Sequence, residues 1–318
     1  MSERSPARAA VLSGTAFATL LLIALMMGGN HVAARMAFDN GVDVATAVSF
    51  RSSVTALVVS LLLVLQRVPV RLTARHKRAL LAIGVLVGMQ SLCLYSSVAR
   101  LPVALALLAF NTYPLWTALW ARLAYRHRPE PRVLAAMPVM LLGLALALDV
   151  LGAASGLGAA AQWRHIGAGV AFALGAAAMF GLALVLTQHE AGDLDGRLRT
   201  ATTMGLVALI ALAGVSTQGG FHLPQAGRGW WGLLILTFLY GTAFTIMFTV
   251  LPRLGVVGNS AIMNVEPIFA LVLAWAILGQ SIAVSQIAGG LLVVATAVWL
   301  GRRRAGAAQP SPVPKPSP

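Results

Sequence analysis

Acidic side chains are scarce in this sequence. Nine Asp and Glu stand among 318 residues, and charged residues of both signs reach 10% where a soluble domain carries about 25%. With 58% hydrophobic residues, this composition excludes a soluble globular protein. A single cysteine, Cys93, excludes a disulfide framework and a cysteine metal site, and its place in an apolar run points to packing. No Walker loop, H-E-x-x-H or G-x-S-x-G occurs, and no pair of carboxylates is embedded in an apolar run. ATP-driven work and the common hydrolases are thereby excluded, and neither a cofactor nor a metal is expected. Any work must draw on an ion or substrate gradient.

What the chain does have is long apolar runs. They recur from Val11 to Leu300, each about 18 to 24 residues, enough to cross about 30 Å of hydrocarbon as a helix and too long for barrel strands. Ten spans are predicted, at about 12–34, 44–65, 79–98, 102–121, 133–151, 167–188, 200–217, 230–250, 256–277 and 283–301. The expected fold class is an all-α polytopic membrane protein. The first run follows Arg4 and Arg8 and imitates a signal peptide with a cleavage site near His31–Ala34; nine further spans favour a retained helix.

The net charge of +14 invites a nucleic-acid reading, and its distribution answers it. With the N-terminus in the cytoplasm, only Arg100, Arg164 and Arg228 fall outside and Arg35 and Arg51 fall within helices, leaving the other eighteen Lys and Arg inside. That bias predicts both termini in the cytoplasm of a bacterial-type inner membrane, with the excess charge meeting anionic headgroups. The expected partners are membrane lipid and a small-molecule substrate, with no nucleic acid and the chain a monomer or homodimer. The predicted organisation is a cytoplasmic tail about 1–11, a five-helix unit about 12–151, a periplasmic linker about 152–166, a second five-helix unit about 167–301, and a disordered Pro-rich tail about 302–318.

The two units are copies. An offset of 153 residues brings Gly14 onto Gly167, Gly28 onto Gly181, Gly88 onto Gly241, Arg100 onto Arg253, Asn111 onto Asn264 and Pro114 onto Pro267. The paired N-x-x-P elements are the least expected by chance. Five is odd, so the second unit enters the membrane from the opposite face. This is the inverted-repeat plan of many secondary transporters, whose sites lie near the midplane at interrupted helices. Pro114 and Pro267 cannot donate to the carbonyls four residues earlier, so the fourth and ninth spans are expected to carry helix breaks or gates. Each proline alone reads as a packed kink; related by the repeat, they read as parts of a site.

Among the nine acids only Glu266 lies well inside a span. It is expected to face the interior, as a proton-coupling group, a seat for a substrate ammonium, or a carboxyl bonded between helices. Arg51, early in the second span, either snorkels or pairs with an anionic group. His31 and Arg35 stand four apart on the first helix, His31 as a weak candidate for anionic groups and Arg35 near the outer interface. Ser91 and Tyr95 share a stripe on the third span beside Gln90, and Tyr240, Thr242 and Thr245 occupy the matching part of the eighth. Such residues either line a cavity or join helices. Asn111 and Asn264 are expected to serve the freed carbonyl regions.

The stretches MMGGNHVAARMAF, ATAVSFRSSVTALVV and YSSVARLPVALALLAFNTYPLWTALWARL, with the later copy FTVLPRLGVVGNSAIMNVEPIFALVLAWAILGQ, resemble the EamA family of the drug/metabolite transporter superfamily over about residues 13–301. The resemblance implies ten helices in two inverted halves, termini inside, and alternating-access transport of small metabolites such as amino acids, commonly export. Arg51 matches a frequent second-helix arginine, Pro114 and Pro267 match the fourth- and ninth-helix prolines, and Glu266 matches an acid before the latter. Where the family often ends these helices with Gly-Glu, this chain has Arg126-His127 and Gly279-Gln280.

Overall fold

The computed structural model describes residues 14–127, 131–153, 155–250, 265–281 and 283–307, and the regular structure among them is helical, with no strand. The first unit contributes α1 (Gly14–Phe38), α2 (Val44–Leu65), α3 (Ala74–Val98), α4 (Val103–Phe110), α5 (Tyr113–Tyr125) and α6 (Pro131–Ala147). The second contributes α7 (Ala159–Glu190), α8 (Gly196–Thr217), α9 (Gly227–Thr249), α10 (Glu266–Leu278) and α11 (Val284–Ala307). Taking α4 with α5, seven helical segments are long and apolar enough to cross a membrane, and α6, α10 and α11 contain shorter apolar stretches. Large apolar side chains face outward along them, among them Leu57, Val64, Phe238 and Trp275. That outer surface suits hydrocarbon and would be a cost in water.

Helix starts follow local chemistry. The Asp43 carboxylate accepts from Ala45 and Thr46 N–H at 3.1 and 3.2 Å at the head of α2, and Thr73 accepts from His76 N–H at the head of α3. α7 starts at Ala159, eight residues before the predicted span, so half of the predicted linker 152–166 is helix. Gly152 and Gly158 make the turn before it with φ of 66° and 75°. A Cβ on Gly152 would stand 2.6 Å from the carbonyl oxygen of Gly158. At the other end, α11 continues to Ala307, past the predicted end at 301.

The fourth span is interrupted. Asn111 and Thr112 keep right-handed φ but have ψ of −1° and −6°, which ends the α4 ladder. Their own side chains satisfy its last turn, Asn111 Nδ2 donating to Leu107 O at 2.9 Å and Thr112 Oγ1 to Ala109 O at 2.8 Å. Pro114 therefore sits in the first turn of a new helix, where an absent N–H costs nothing. Pro267 holds the same position in α10, directly after Glu266. Asn264, its predicted partner in the break, lies outside the described residues.

The largest helix contacts run between the two units: α2 on α8, α6 on α11, α1 on α9 and α10, α3 on α7, and α5 on α7, with α3 on α8 and α2 on α9 beside them. Exchanging the units maps this set onto itself, α1 on α9 becoming α7 on α3 and α1 on α10 becoming α7 on α5. The duplication legible in sequence is thus a two-fold relation in packing. Its tightest points are glycines. A Cβ on Gly28 would lie 3.0 Å from Ala270 N across α1 and α10, and one on Gly181 would lie 2.8 Å from Thr117 N across α7 and α5.

Candidate functional site

The site grows from one buried ring. Tyr95 of α3 is fully enclosed, and three neighbours use three different parts of it. Its hydroxyl donates to Asn30 Oδ1 of α1 at 2.9 Å. The His31 imidazole meets it edge to face at 5.6 Å between centroids. The guanidinium carbon of Arg51, from α2, lies over its face at 4.5 Å and over the Tyr240 ring of α9 at 4.0 Å. Tyr240 in turn places its hydroxyl 3.8 Å from Met204 Sδ and its ring 4.6 Å from Phe244.

Arg51 is 4% exposed, so it does not snorkel. A buried charge needs compensation worth several kcal/mol, and the two tyrosine faces supply about 2 kcal/mol each at the upper end for a desolvated cation. Among the described residues Arg51 has no carboxylate partner, and its Nε lacks any hydrogen-bond acceptor. The Nδ2 of Asn30 and the Nδ1 of His31 are likewise buried without partners.

Glu266 reaches this cluster through His31: Nε2 and Oε1 are 3.3 Å apart, with the imidazole buried and the carboxylate partly accessible. The contact exists because Gly28, one turn before His31, admits the α10 backbone against α1. If the imidazole's hydrogen sits on Nε2, toward the carboxylate, Nδ1 is left as the bare nitrogen.

Of the residues singled out in sequence, the fold brings together His31, Arg51, Tyr95, Tyr240 and Glu266. Pro267 stands next to Glu266 in the first turn of α10. Three of the other candidates bond within their own helices. Ser91 Oγ is 3.5 Å from Gln90 Oε1, Thr245 Oγ1 donates to Gly241 O at 2.8 Å, and the Asn111 amide is spent on α4. Thr242 is half-buried on α9. Asn30 was missed; its signal was an amide next to His31 in an otherwise apolar helix. Arg35 is more than an interface anchor: its Nη1 donates to the carbonyls of Val98, Ala99 and Leu101 at 3.1 to 3.3 Å, and its Nε to Asp39 at 2.9 Å.

A second polar cluster joins α3, α5 and α7. Tyr125 stacks on His189 at 4.0 Å and donates to Glu190 at 2.8 Å, while Arg75 bonds both the Glu190 carboxylate and the His189 carbonyl. It lies at the helix ends and shares no residue with the Tyr95 cluster.

The departures at the ends of α5 and α10 have a structural answer. Both helices end in a left-handed residue, Arg126 at φ 55° and Gly279 at φ 65°. The same bond closes each, His127 N–H to Ala121 O and Gln280 N–H to Ala274 O, both 3.2 Å. Gln280 Oε1 then accepts from Val103 N–H at 3.1 Å, capping α4, which has no side-chain cap of its own. An amide oxygen performs there what a carboxylate oxygen would.

Comparison with known proteins agrees with this architecture. The model of the EamA-like transporter family matches residues 14–148 and again 167–302, one match per unit. Among curated proteins nothing matches. A solved structure, described as "Crystal structure of protein", superposes with a TM-score of 0.58 at 19% identity, covering 89% of this chain and 96% of its own; that likeness is one of fold. Two family matches that together cover most of the chain, one per unit, make it a member of the EamA-like transporter family.

Proposed function

We propose that the protein is an inner-membrane secondary transporter that moves a small metabolite by alternating access, in the direction of export, with the Tyr95 cluster as its substrate and coupling site. In this reading the chain crosses the bilayer ten times, as two inverted five-helix units about 12–151 and 167–301 joined by a periplasmic segment, with both termini cytoplasmic. The carrying observation is Arg51: a cation 4% exposed, set between two tyrosines, with no carboxylate partner among the described residues. Such a group is retained for a ligand or a coupling ion rather than for stability.

Several features support the rest of the reading. The cluster draws on α1, α2, α3, α9 and α10, so both units contribute, and a relative movement of the units would reshape it. Glu266 and His31 supply an ionisable pair for proton coupling. Pro114 marks the interruption between α4 and α5, whose short halves can tilt, and Pro267 holds the matching place at the start of α10.

The test begins with a metabolite panel screened by thermal shift in detergent, since a ligand held by the folded state alone raises apparent stability. Hits are then followed as flux into proteoliposomes. Saturable flux by the purified protein that is driven by an imposed pH gradient, and that loses its pH dependence in Glu266→Gln at equal abundance, is the expected result. Saturable flux indifferent to the gradient would make the protein an uncoupled facilitator. No flux of any hit would leave a membrane receptor or assembly subunit.

A further inference from the structure

We infer that the ligand of the Tyr95 cluster is a carboxylate carrying a single net negative charge, and that it binds together with one proton taken up on His31 Nδ1. The inference rests on the transporter reading for its biological meaning and on the geometry of the cluster for its chemistry.

The unpartnered atoms describe what is missing. Among the described residues, Arg51 Nε–H and Asn30 Nδ2–H are buried donors without acceptors, and both residues contact Tyr95. The tyrosine faces attract the guanidinium, and Arg51 also has a side-chain hydrogen bond with Tyr95, which still leaves its Nε without an acceptor among the described residues. A planar oxyanion is the usual complement of an arginine's N–H edge. The third unpartnered atom, His31 Nδ1, belongs to a ring that also touches Tyr95. As a bare nitrogen it would repel an oxyanion; protonated, it becomes another donor to it.

Charge bookkeeping then sets the stoichiometry. Among the described residues, the groups facing His31 from the helices packed on α1 are Glu266 of α10, Tyr95 of α3, Arg51 of α2 on the Tyr95 face, and Tyr240 of α9 against Arg51. The described α4 contributes no ionisable group, and on α1 itself Arg35 lies one turn on, engaged with Asp39. With His31 neutral and Glu266 ionised, the charges of Arg51 and Glu266 cancel. An arriving monoanion would leave the buried site at minus one, which a low-dielectric interior opposes. A proton arriving with it restores zero, as Nδ1 takes the proton on its lone pair while Nε2–H stays on Glu266. A dianionic phosphate would need two protons, and a neutral ligand none. Carboxylate and proton therefore move as a neutral pair.

The experiment uses purified full-length protein in detergent and a panel of three- to eight-carbon monocarboxylates, each with its primary amide and its α-amino acid. Binding is followed by thermal shift, then by calorimetry in two buffers of different ionisation enthalpy, which counts protons. At least one carboxylate is expected to bind with about one proton taken up, its amide to fail, and its affinity to fall about tenfold per pH unit at alkaline pH. His31→Gln is expected to bind more weakly, with no proton uptake and a flat pH profile. Flux of the bound acid should be insensitive to membrane potential. The inference is overturned if no carboxylate binds, if amides or α-amino acids bind as well as the carboxylates, or if wild-type binding takes up no proton. Saturable flux of a compound lacking a carboxylate would sink it while leaving transport intact; proton-linked carboxylate binding without any flux would do the reverse.

Discussion

Gly28 and Ala270 touch backbone to backbone, and 153 residues along the chain Gly181 and Thr117 repeat the contact with the units exchanged. The first contact seats His31 on Glu266. The second, with the units exchanged, has no such polar pair: the residues 153 away from them are Leu184 and Tyr113, and Tyr113 packs its ring on Phe180 at 5.1 Å. Duplication built the scaffold, and divergence placed the ionisable chemistry on one side of it.

The Gly181 contact predicts a stability cost for the smallest possible addition. Gly181→Ala would push a methyl to 2.8 Å from the Thr117 amide nitrogen, against backbone that has nowhere to retreat. A loss of about 1–3 kcal/mol is expected, as for other overpacked cores. Gly205→Ala, at a helical glycine with nothing within 4 Å, should instead gain up to about 1 kcal/mol from helix propensity. Apparent melting temperatures in detergent should move in opposite directions.

Tyr95 separates ring from hydroxyl. Tyr95→Phe leaves the face beneath Arg51 and removes the donor to Asn30, stranding a buried acceptor at about 1–3 kcal/mol. Tyr95→Leu also removes one aromatic contact to the cation, worth about 2 kcal/mol when desolvated. Ligand affinity should fall further in the leucine variant. Equal losses in both would place the whole effect in the hydroxyl.

Asp195 gives a pH dependence with a definite sign. It caps α8, accepting from Arg197 N–H at 2.8 Å. Chiefly the side-chain bonds from Arg197 hold its carboxyl below the ordinary range. A depressed folded value means that the stabilisation is present above the unfolded carboxyl value of about 3.9 and is lost as pH falls through the folded one. Asp195→Ala should cost about 1 kcal/mol at neutral pH, and the gap to wild type should narrow as pH drops below about 4. A gap independent of pH would show that the cap's charge is irrelevant.

Gln280 tests the helix-end substitution. Gln280→Ala removes the acceptor from Val103 N–H and should cost about 0.5–2 kcal/mol. Gln280→Glu returns a charged oxygen to the same place at the start of α4 and should match or exceed wild type by about 0.3–1 kcal/mol. Thermal unfolding of the three proteins side by side decides it. A glutamate less stable than the glutamine would mean that charge is disfavoured at this helix end.

Much of the scaffold was legible one residue at a time. Run length exposed the helices, the recurrence of Asn and Pro exposed the copy, and proline chemistry exposed the break between α4 and α5. Helix ends were less legible: α7 begins eight residues early because residues 159–166, after the turn at Gly158, contain no glycine or proline to stop a helix. The candidate cluster was half legible. Isolated polar residues in apolar helices named its members, yet Ser91, Thr245 and Asn111 bore the same mark and bond within their own helices.

The amino-acid order by itself determined the membrane class, the helical content and the doubling, because these depend on hydrophobic run length, on the helical satisfaction of backbone groups in lipid, and on recurrence along the chain. Only the tertiary structure decided that His31 takes Glu266, that Arg51 lies between Tyr95 and Tyr240, and that Gln280 caps α4. Those pairings depend on how helices rotate and cross where glycines let backbones meet, and the spacing of residues along one helix carries no record of the rotation of another.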